Sequence, residues 1–459
     1  MARLFTSART LCAAILVAGI LVAGCGSNSS SSGDDGGSIN PAKLFTDISR
    51  SVQEPVTRAL SGWDWDSFIL NFGDLMINFR YTLDMRKITY ESTGADGKLH
   101  TMTGLLILPK PIIGSSPSVP ILMYQHGTEV YRQFSPSRYL SHRDKPTDYP
   151  EVMVAAAIAA TGYAVALVDY EGMGDNTNTQ PHVVGAALAR QVIDLLKTTR
   201  DTIDESRPGS GKSPCSWNGQ LFLMGYSEGG YVTMAATREL QLNHANEFTI
   251  TASAPLAGPH DLSGIMRGII LADNTFKAPY FIPMVLTSYS YAYGGQTTLF
   301  SPDYAMLPPY NATLPPLFKG NTQSDAISEA MGMSFSPVRL IVPKSTLTKQ
   351  FIDQLSNDAS PVVALLKQND SYRLPVLPYS VWVPTVPVRM IHHKKDDLVP
   401  YANSQAAYDA FIAAGATKVQ LVEENDTINI SSNPVKTVHS AAAFPILVDG
   451  WNWIEGYKK

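Results

Sequence analysis

Apolar and polar residues alternate through "MRKITYESTGADGKLHTMTGLLILPK", residues 85–110, and a Gly/Asp cluster breaks the alternation once. That pattern predicts a β-hairpin. Beyond it the periodicity changes. "VPILMYQHGT" (119–128) is short and almost wholly apolar before it ends on His-Gly, which suits a strand buried on both faces. "EVMVAAAIAATG" (151–162) reads as an Ala-rich helix stopped by Gly162. "YAVALVDYEGMGD" (163–175) is a second buried strand running into a glycine loop, and "GAALARQVIDLLKTTRDTI" (185–203) is an amphipathic helix. "LFLMGYSEGG" (221–230) is a strand and turn, "YVTMAATRELQ" (231–241) a helix, and "FTITASAPLAGPHDL" (248–262) another strand. Buried strands alternating with helices predict an α/β architecture: a mostly parallel sheet with helices on both faces.

The alternation stops over residues 262–385, which are rich in Pro, Tyr and Met, as in "KAPYFIPMVLTSYSYAYGG" and "YAMLPPYNATLPPLF". A structureless loop of that length does not fit a compact domain, so an inserted cap or lid subdomain is expected there. The parallel pattern resumes with the strand in "VPVRMIHHKKDDLVP" (386–400), the helix "SQAAYDAFIAAGA" (404–416) and the strand "KVQLVEEN" (418–425). A final helix is expected around "AAAFPILVDGWNWIEGY" (441–457). The core is thus expected in two parts, 39–261 and 386–459, with the cap between its sixth and seventh strands.

Composition changes this picture little. The 459 residues are 44% hydrophobic and 16% charged, which suits a globular chain, and a net charge of −5 offers no basic field for nucleic acid. The N-terminus adds more. Arg3 and Arg9 precede the apolar run "LCAAILVAGILVA" (11–23), which is short for a bilayer span but right for a signal peptide. It closes on "VAGC", Val22 to Cys25, which resembles the bacterial lipoprotein box. That resemblance implies a signal peptide over 1–24, lipid attachment at Cys25 and a cell-envelope location. Gly26 after the cysteine points to the outer membrane if the host is Gram-negative. The Gly/Ser-rich stretch that follows reads as a flexible tether over 25–38.

The chemistry centres on "GYSEG", Gly225 to Gly229, which fits G-x-S-x-G between a strand and a helix. In that turn a serine is lifted above the sheet, and the start of the following helix favours a developing negative charge. A serine hydroxyl still needs a base, a group to orient the base, and donors for an oxyanion. The combination of strand, His-Gly, GYSEG, acid and late histidine resembles the α/β-hydrolase family, closest in look to secretory lipases. The family order is serine, acid, histidine, and its pattern H-G-x-x-D-x-x-V-P is met by His392, Asp396, Val399 and Pro400. Position 393 departs from it, with His where Gly is usual.

The resemblance implies Ser227 as nucleophile, Asp396 rather than Asp397 as the acid, and His439, the only histidine after His393, as the base just before the terminal helix. It also implies an oxyanion hole from the backbone N–H groups of Thr128 and Glu228, with Gly127 permitting close approach. His126 is expected to pack the loop, His392 and His393 to shape the strand end, and "DYEGMGDN" to be structural. The implied activity is hydrolysis of small-molecule or lipid esters through an acyl-enzyme, without a cofactor. A serine peptidase of the same fold and a non-catalytic surface-binding lipoprotein are the alternatives.

Two other motifs carry no weight. "PGSGKS" (208–213) lacks the first glycine of a phosphate loop, having Ser206 there, and precedes a strand instead of following one. No metal is expected, because His392 and His393 are adjacent on a strand and point to opposite faces.

Overall fold

The computed structural model describes residues 38–44, 47, 79–204, 212–426 and 436–459. The expected signal peptide, Cys25 and nearly all of the tether lie outside the described residues, as does most of "PGSGKS".

Among the described residues nine strands form the main sheet: β1 (Ser38–Ile39), β2 (Thr82–Thr93), β3 (Leu99–Lys110), β4 (Ser118–Gln125), β5 (Ala164–Val168), β6 (Ser216–Tyr226), β7 (Ile250–Leu256), β8 (Val388–His393) and β9 (Val419–Glu424). Their spatial order is β1-β2-β3-β5-β4-β6-β7-β8-β9. Pairing is antiparallel from β1 to β5 and parallel from β5 to β9. β1 is a two-residue edge strand on β2, too short to leave a periodic trace in the sequence.

Among the described residues the helices of eight residues or more are α1 (Pro150–Ala160), α2 (Gly185–Ile203), α3 (Glu228–Asn243), α4 (Phe281–Tyr293), α5 (Lys349–Ser356), α6 (Pro361–Gln368), α7 (Ala402–Ala413) and α8 (Val438–Glu455).

The β2–β3 hairpin pairs Thr82 with Lys110 and Thr93 with Leu99. Its turn is closed by Gly94 N–H donating to Lys98 O at 2.8 Å, and Gly97 takes the φ of +78° that the bend requires. In the central strands consecutive side chains feed opposite cores, as the pleat dictates. Ile121 and Met123 of β4, with Ala164 and Ala166 of β5, pack with α2 and α3. Leu122 and Tyr124, with Val165 and Leu167, pack with α1 and α8 on the other face. Burial on both faces is why these strands are apolar without alternation. Each large aliphatic side chain so buried contributes about 1.5–3 kcal/mol of transfer free energy.

Between Leu256 and Val388 the chain adds no strand to the main sheet. It holds α4, α5, α6, several shorter helices and a small hairpin (Ser334–Phe335 with Val338–Arg339). Thr348 and Ser360 cap α5 and α6 by accepting from the N–H groups of Phe351 and Val363. Ile282, Met284, Leu286 and Tyr289 of α4 continue the apolar core of α2 and α3, as do Phe351 and Leu355 of α5.

Candidate active site

Ser227 stands between β6 and α3 with φ 62° and ψ −125°, a backbone conformation that non-glycine residues rarely adopt. The flanking glycines explain how the bend closes. A Cβ on Gly225 would lie 2.4 Å from Gln125 O, and one on Gly229 would lie 2.0 Å from the same oxygen. Both positions need glycine because backbone approaches backbone. Ser227 N–H donates to Leu256 O at 3.0 Å, which ties the elbow to the end of β7.

The loop after β8 supplies a buried carboxylate. Asp396 Oδ1 accepts the N–H groups of Leu398 at 3.0 Å and Val399 at 2.8 Å. Oδ2 lies 2.5 Å from His439 Nδ1 and 3.3 Å from His392 Nε2. Burial alone would raise the pKa of this carboxyl. The charge of His439, with hydrogen bonds from His392 and His439, outweighs burial and holds it well below the usual carboxylate range. A carboxylate can only accept, so His439 carries a proton on Nδ1, and in the neutral ring Nε2 is then the accepting atom. That nitrogen is buried and makes no hydrogen bond, to Ser227 or to any other described residue.

His439 lies within the first turn of α8, not just before the helix as the sequence pattern suggested. The helix begins earlier because its N-terminal N–H groups find acceptors: Thr437 Oγ1 takes Ser440 N–H at 3.0 Å, and Asp397 Oδ1 takes Val438 N–H at 2.9 Å. Asp397 also pairs with Lys277 at 2.8 Å. The two neighbouring acids therefore have separate tasks, Asp396 facing the imidazole and Asp397 facing the helix end. Tyr226, next to Ser227, packs its ring 4.9 Å from the His439 ring and donates its hydroxyl to His439 O at 2.7 Å.

His392 does more than shape the strand end. Its Nε2 lies 2.7 Å from Val399 O, which can only accept, so the ring proton there also faces Asp396. His393 replaces the usual glycine without strain, since its φ is not positive. Its Nδ1 accepts Lys395 N–H at 3.1 Å. His126 packs against Tyr170 with ring centroids 4.4 Å apart, and its Nδ1 contacts Gly127 O at 2.7 Å.

Facing the elbow is the loop after β4. A Cβ on Gly127 would sit 3.7 Å from Ser227 Cβ, which shows how closely this backbone passes the serine. Gly127 N–H is held by Glu151 Oε1 and Oε2 at 3.1 and 3.0 Å. Burial pushes the Glu151 carboxyl up to about 8, although the Gly127 N–H and Tyr124 hydroxyl partly oppose it. The N–H groups of Thr128 and Glu228 have no acceptor among the described residues.

Thr128, Ser227 and Glu228 line one cavity, whose walls are otherwise mostly apolar and come largely from residues 262–366. His182 also lines it. His182 Nδ1 is 2.8 Å from Glu228 Oε1. Burial raises the Glu228 pKa, but His182, His126 and Thr128 more than offset that and lower it. No sequence spacing links positions 182 and 228. Among the described residues one trio could offer metal ligands, Asp96, His100 and Glu171, whose candidate ligand atoms lie within 4.8 Å of one another. Glu171 is already occupied by Ala95 N–H and the side chains of Asn178 and Tyr291, and the trio is not part of the cavity wall.

The sheet order, the helices on both faces and the strand–serine–helix elbow define the α/β-hydrolase fold. The chain is similar in structure to the rice cell wall degrading esterase LipA from Xanthomonas oryzae. The TM-score is 0.69 and the identity 25%, over 84% of this chain and 95% of that one. It also shares its fold with Candida antarctica lipase A in its closed state, with a TM-score of 0.55 and 16% identity over 77% of this chain and 74% of that one. No protein-family model and no curated protein sequence matches it.

Proposed function

We propose that the protein is a carboxylic ester hydrolase in which Ser227, His439 and Asp396 act as a catalytic triad. The likeness to the Xanthomonas oryzae esterase supports an ester as the bond cleaved. The observation that carries the mechanism is the 2.5 Å contact of His439 Nδ1 with Asp396, which leaves the unpartnered Nε2 as the accepting atom of the neutral ring, in a ring packed against Tyr226 of the elbow. In this reading His439 Nε2 takes the Ser227 proton as Oγ attacks the ester carbonyl. The N–H groups of Thr128 and Glu228 receive the negative charge that develops on the carbonyl oxygen, and the elbow at the start of α3 adds its dipole. His439 then protonates the leaving alcohol, and water releases the acyl group from Ser227 by the same steps in reverse. His392 positions Asp396, and Glu151 positions the Gly127–Thr128 loop. The cap segment closes the cavity as a lid and takes up the acyl chain.

Ser227→Ala tests this. The variant is expected to lose p-nitrophenyl butyrate hydrolysis and fluorophosphonate labelling while keeping its thermal melt. More than a few per cent of native activity in the folded variant refutes the assignment. A lipid anchor at Cys25 would place the enzyme on the envelope surface, probed by fractionating cells that express Cys25→Ser. Recovery of that variant with the membranes rules the anchor out.

A further inference from the structure

The cavity has one polar end. Glu228 and His182 are almost fully buried, and both line it beside Ser227. Although His182 Nδ1 stands 2.8 Å from Glu228 Oε1, neither that nitrogen nor either carboxylate oxygen has an aligned hydrogen bond from a described residue. Such an arrangement is costly. A buried polar group left unsatisfied bears its full desolvation penalty, which is larger when it is charged. A wall that meets only hydrocarbon gains nothing from it. Phe281, which stacks on His182 with ring centroids 5.9 Å apart, shows the kind of residue that suits such a wall.

A carboxylate and an imidazole 2.8 Å apart present an acceptor and a donor to the same point. A carboxylate has room for more than one donor, so a hydroxyl can donate to Glu228 while the ring stays beside it. Glu228 directly follows the nucleophile, so its side chain leaves the backbone one residue from the reacting centre. A hydroxyl that it meets lies within a few bonds of the scissile carbonyl. Beyond that point the wall is hydrocarbon, from Met266, Ile270, Phe300, Phe351 and Leu355.

We propose, on the basis of the ester-hydrolase reading above, that the Glu228–His182 pair selects esters whose acyl chain carries a hydroxyl close to the carbonyl and a hydrocarbon tail beyond it. Medium-chain β-hydroxyacyl esters are the substrate class. A plain acyl ester sets a methylene against the pair and offers it no hydrogen bond. The hydroxylated ester supplies the missing group, and sites built to bind a hydroxyl discriminate strongly against analogues without one. The pair also serves the chemistry, since His182 offsets a carboxylate charge that would oppose the developing oxyanion.

The test compares kcat/KM for methyl octanoate and methyl β-hydroxyoctanoate in the native protein, in His182→Phe and in Glu228→Leu. The second variant keeps its backbone N–H. The native protein is expected to favour the hydroxylated ester by roughly tenfold or more, and both variants to bring the ratio close to one. The ratio is the readout because a general loss of folding or of oxyanion stabilisation lowers both rates together. Equal rates on the two esters in the native protein, or a ratio that neither variant moves, overturns the proposal. Ser227→Ala is run beside them. If it still cleaves both esters, the triad mechanism itself fails; if it is silent, the ratio alone decides on the Glu228–His182 pair.

Discussion

Replacing Asp396 by Asn changes one atom and separates the roles of two adjacent acids. The Asn carbonyl can still accept from Leu398 and Val399, at the position where Asp396 Oδ1 does so now. Its NH₂ then occupies the place of Oδ2, facing two ring nitrogens that present N–H groups: His439 Nδ1 at 2.5 Å and His392 Nε2 at 3.3 Å. Donor meets donor. His439 relieves this by moving its proton to Nε2, and Nε2 is the atom that must accept from Ser227. The imidazolium formed during attack also loses its countercharge. In triads of this geometry the same exchange lowers kcat by about 10⁴, which is roughly 5.5 kcal/mol at 1.36 kcal/mol per decade.

Asp397→Asn is the internal control. Asp397 faces the N–H of Val438 and the ammonium of Lys277, and an Asn oxygen can keep the first of these. Its loss is expected within a few-fold in kcat and about 1 kcal/mol in stability, the scale of a weakened helix cap. The assay is steady-state hydrolysis of p-nitrophenyl butyrate at neutral pH, with urea unfolding of each variant as the check on folding. A folded Asp396→Asn protein within tenfold of native kcat, or an Asp397→Asn protein impaired as deeply, refutes the assignment.

Acyl-chain preference should rise from acetate toward medium-chain esters, by up to about fourfold in kcat/KM per methylene at 0.8 kcal/mol each, and fall once the cavity is filled. A p-nitrophenyl ester series measures this, and a steady decline from acetate onward contradicts the lid reading. The Glu151 carboxyl is raised to about 8 by burial, so the folded protein holds a proton that the unfolded chain releases near its ordinary value. Its contribution to stability is complete below that ordinary value and is lost as pH rises through about 8. Glu151→Gln should flatten the fall of urea midpoints across that window, and an unchanged slope counts against the assignment. Gly229→Ala puts a methyl group 2.0 Å from Gln125 O, where rigid backbone faces rigid backbone. We expect a loss of several kcal/mol by urea unfolding, with soluble protein recovered poorly; native-like stability would show that the elbow can open.

Much of this protein was legible in the chain because the physics involved is local. Two-sided burial makes β4 and β5 uniformly apolar, and one-sided burial makes β2 alternate, so the order of strands and helices appears as periodicity. The glycines at 225 and 229 mark a place where backbones meet too closely for a Cβ. The order of serine, acid and histidine narrowed the late positions to Asp396 and His439 by resemblance. A different set of features depends on residues distant in sequence. The separate task of Asp397, which takes the Val438 N–H and pairs with Lys277, was decided by how the loop after β8 turns against α8. The start of α8 rests on Thr437 and on an acceptor 41 residues upstream, and the apolar pattern alone placed it too late. The Glu228–His182 pair exists only because α3 and the segment before α2 close on the same cavity. Periodicity records how each element meets water or core. Contacts between elements leave no periodic trace, and only the packed tertiary structure brings those side chains within 3 Å of each other.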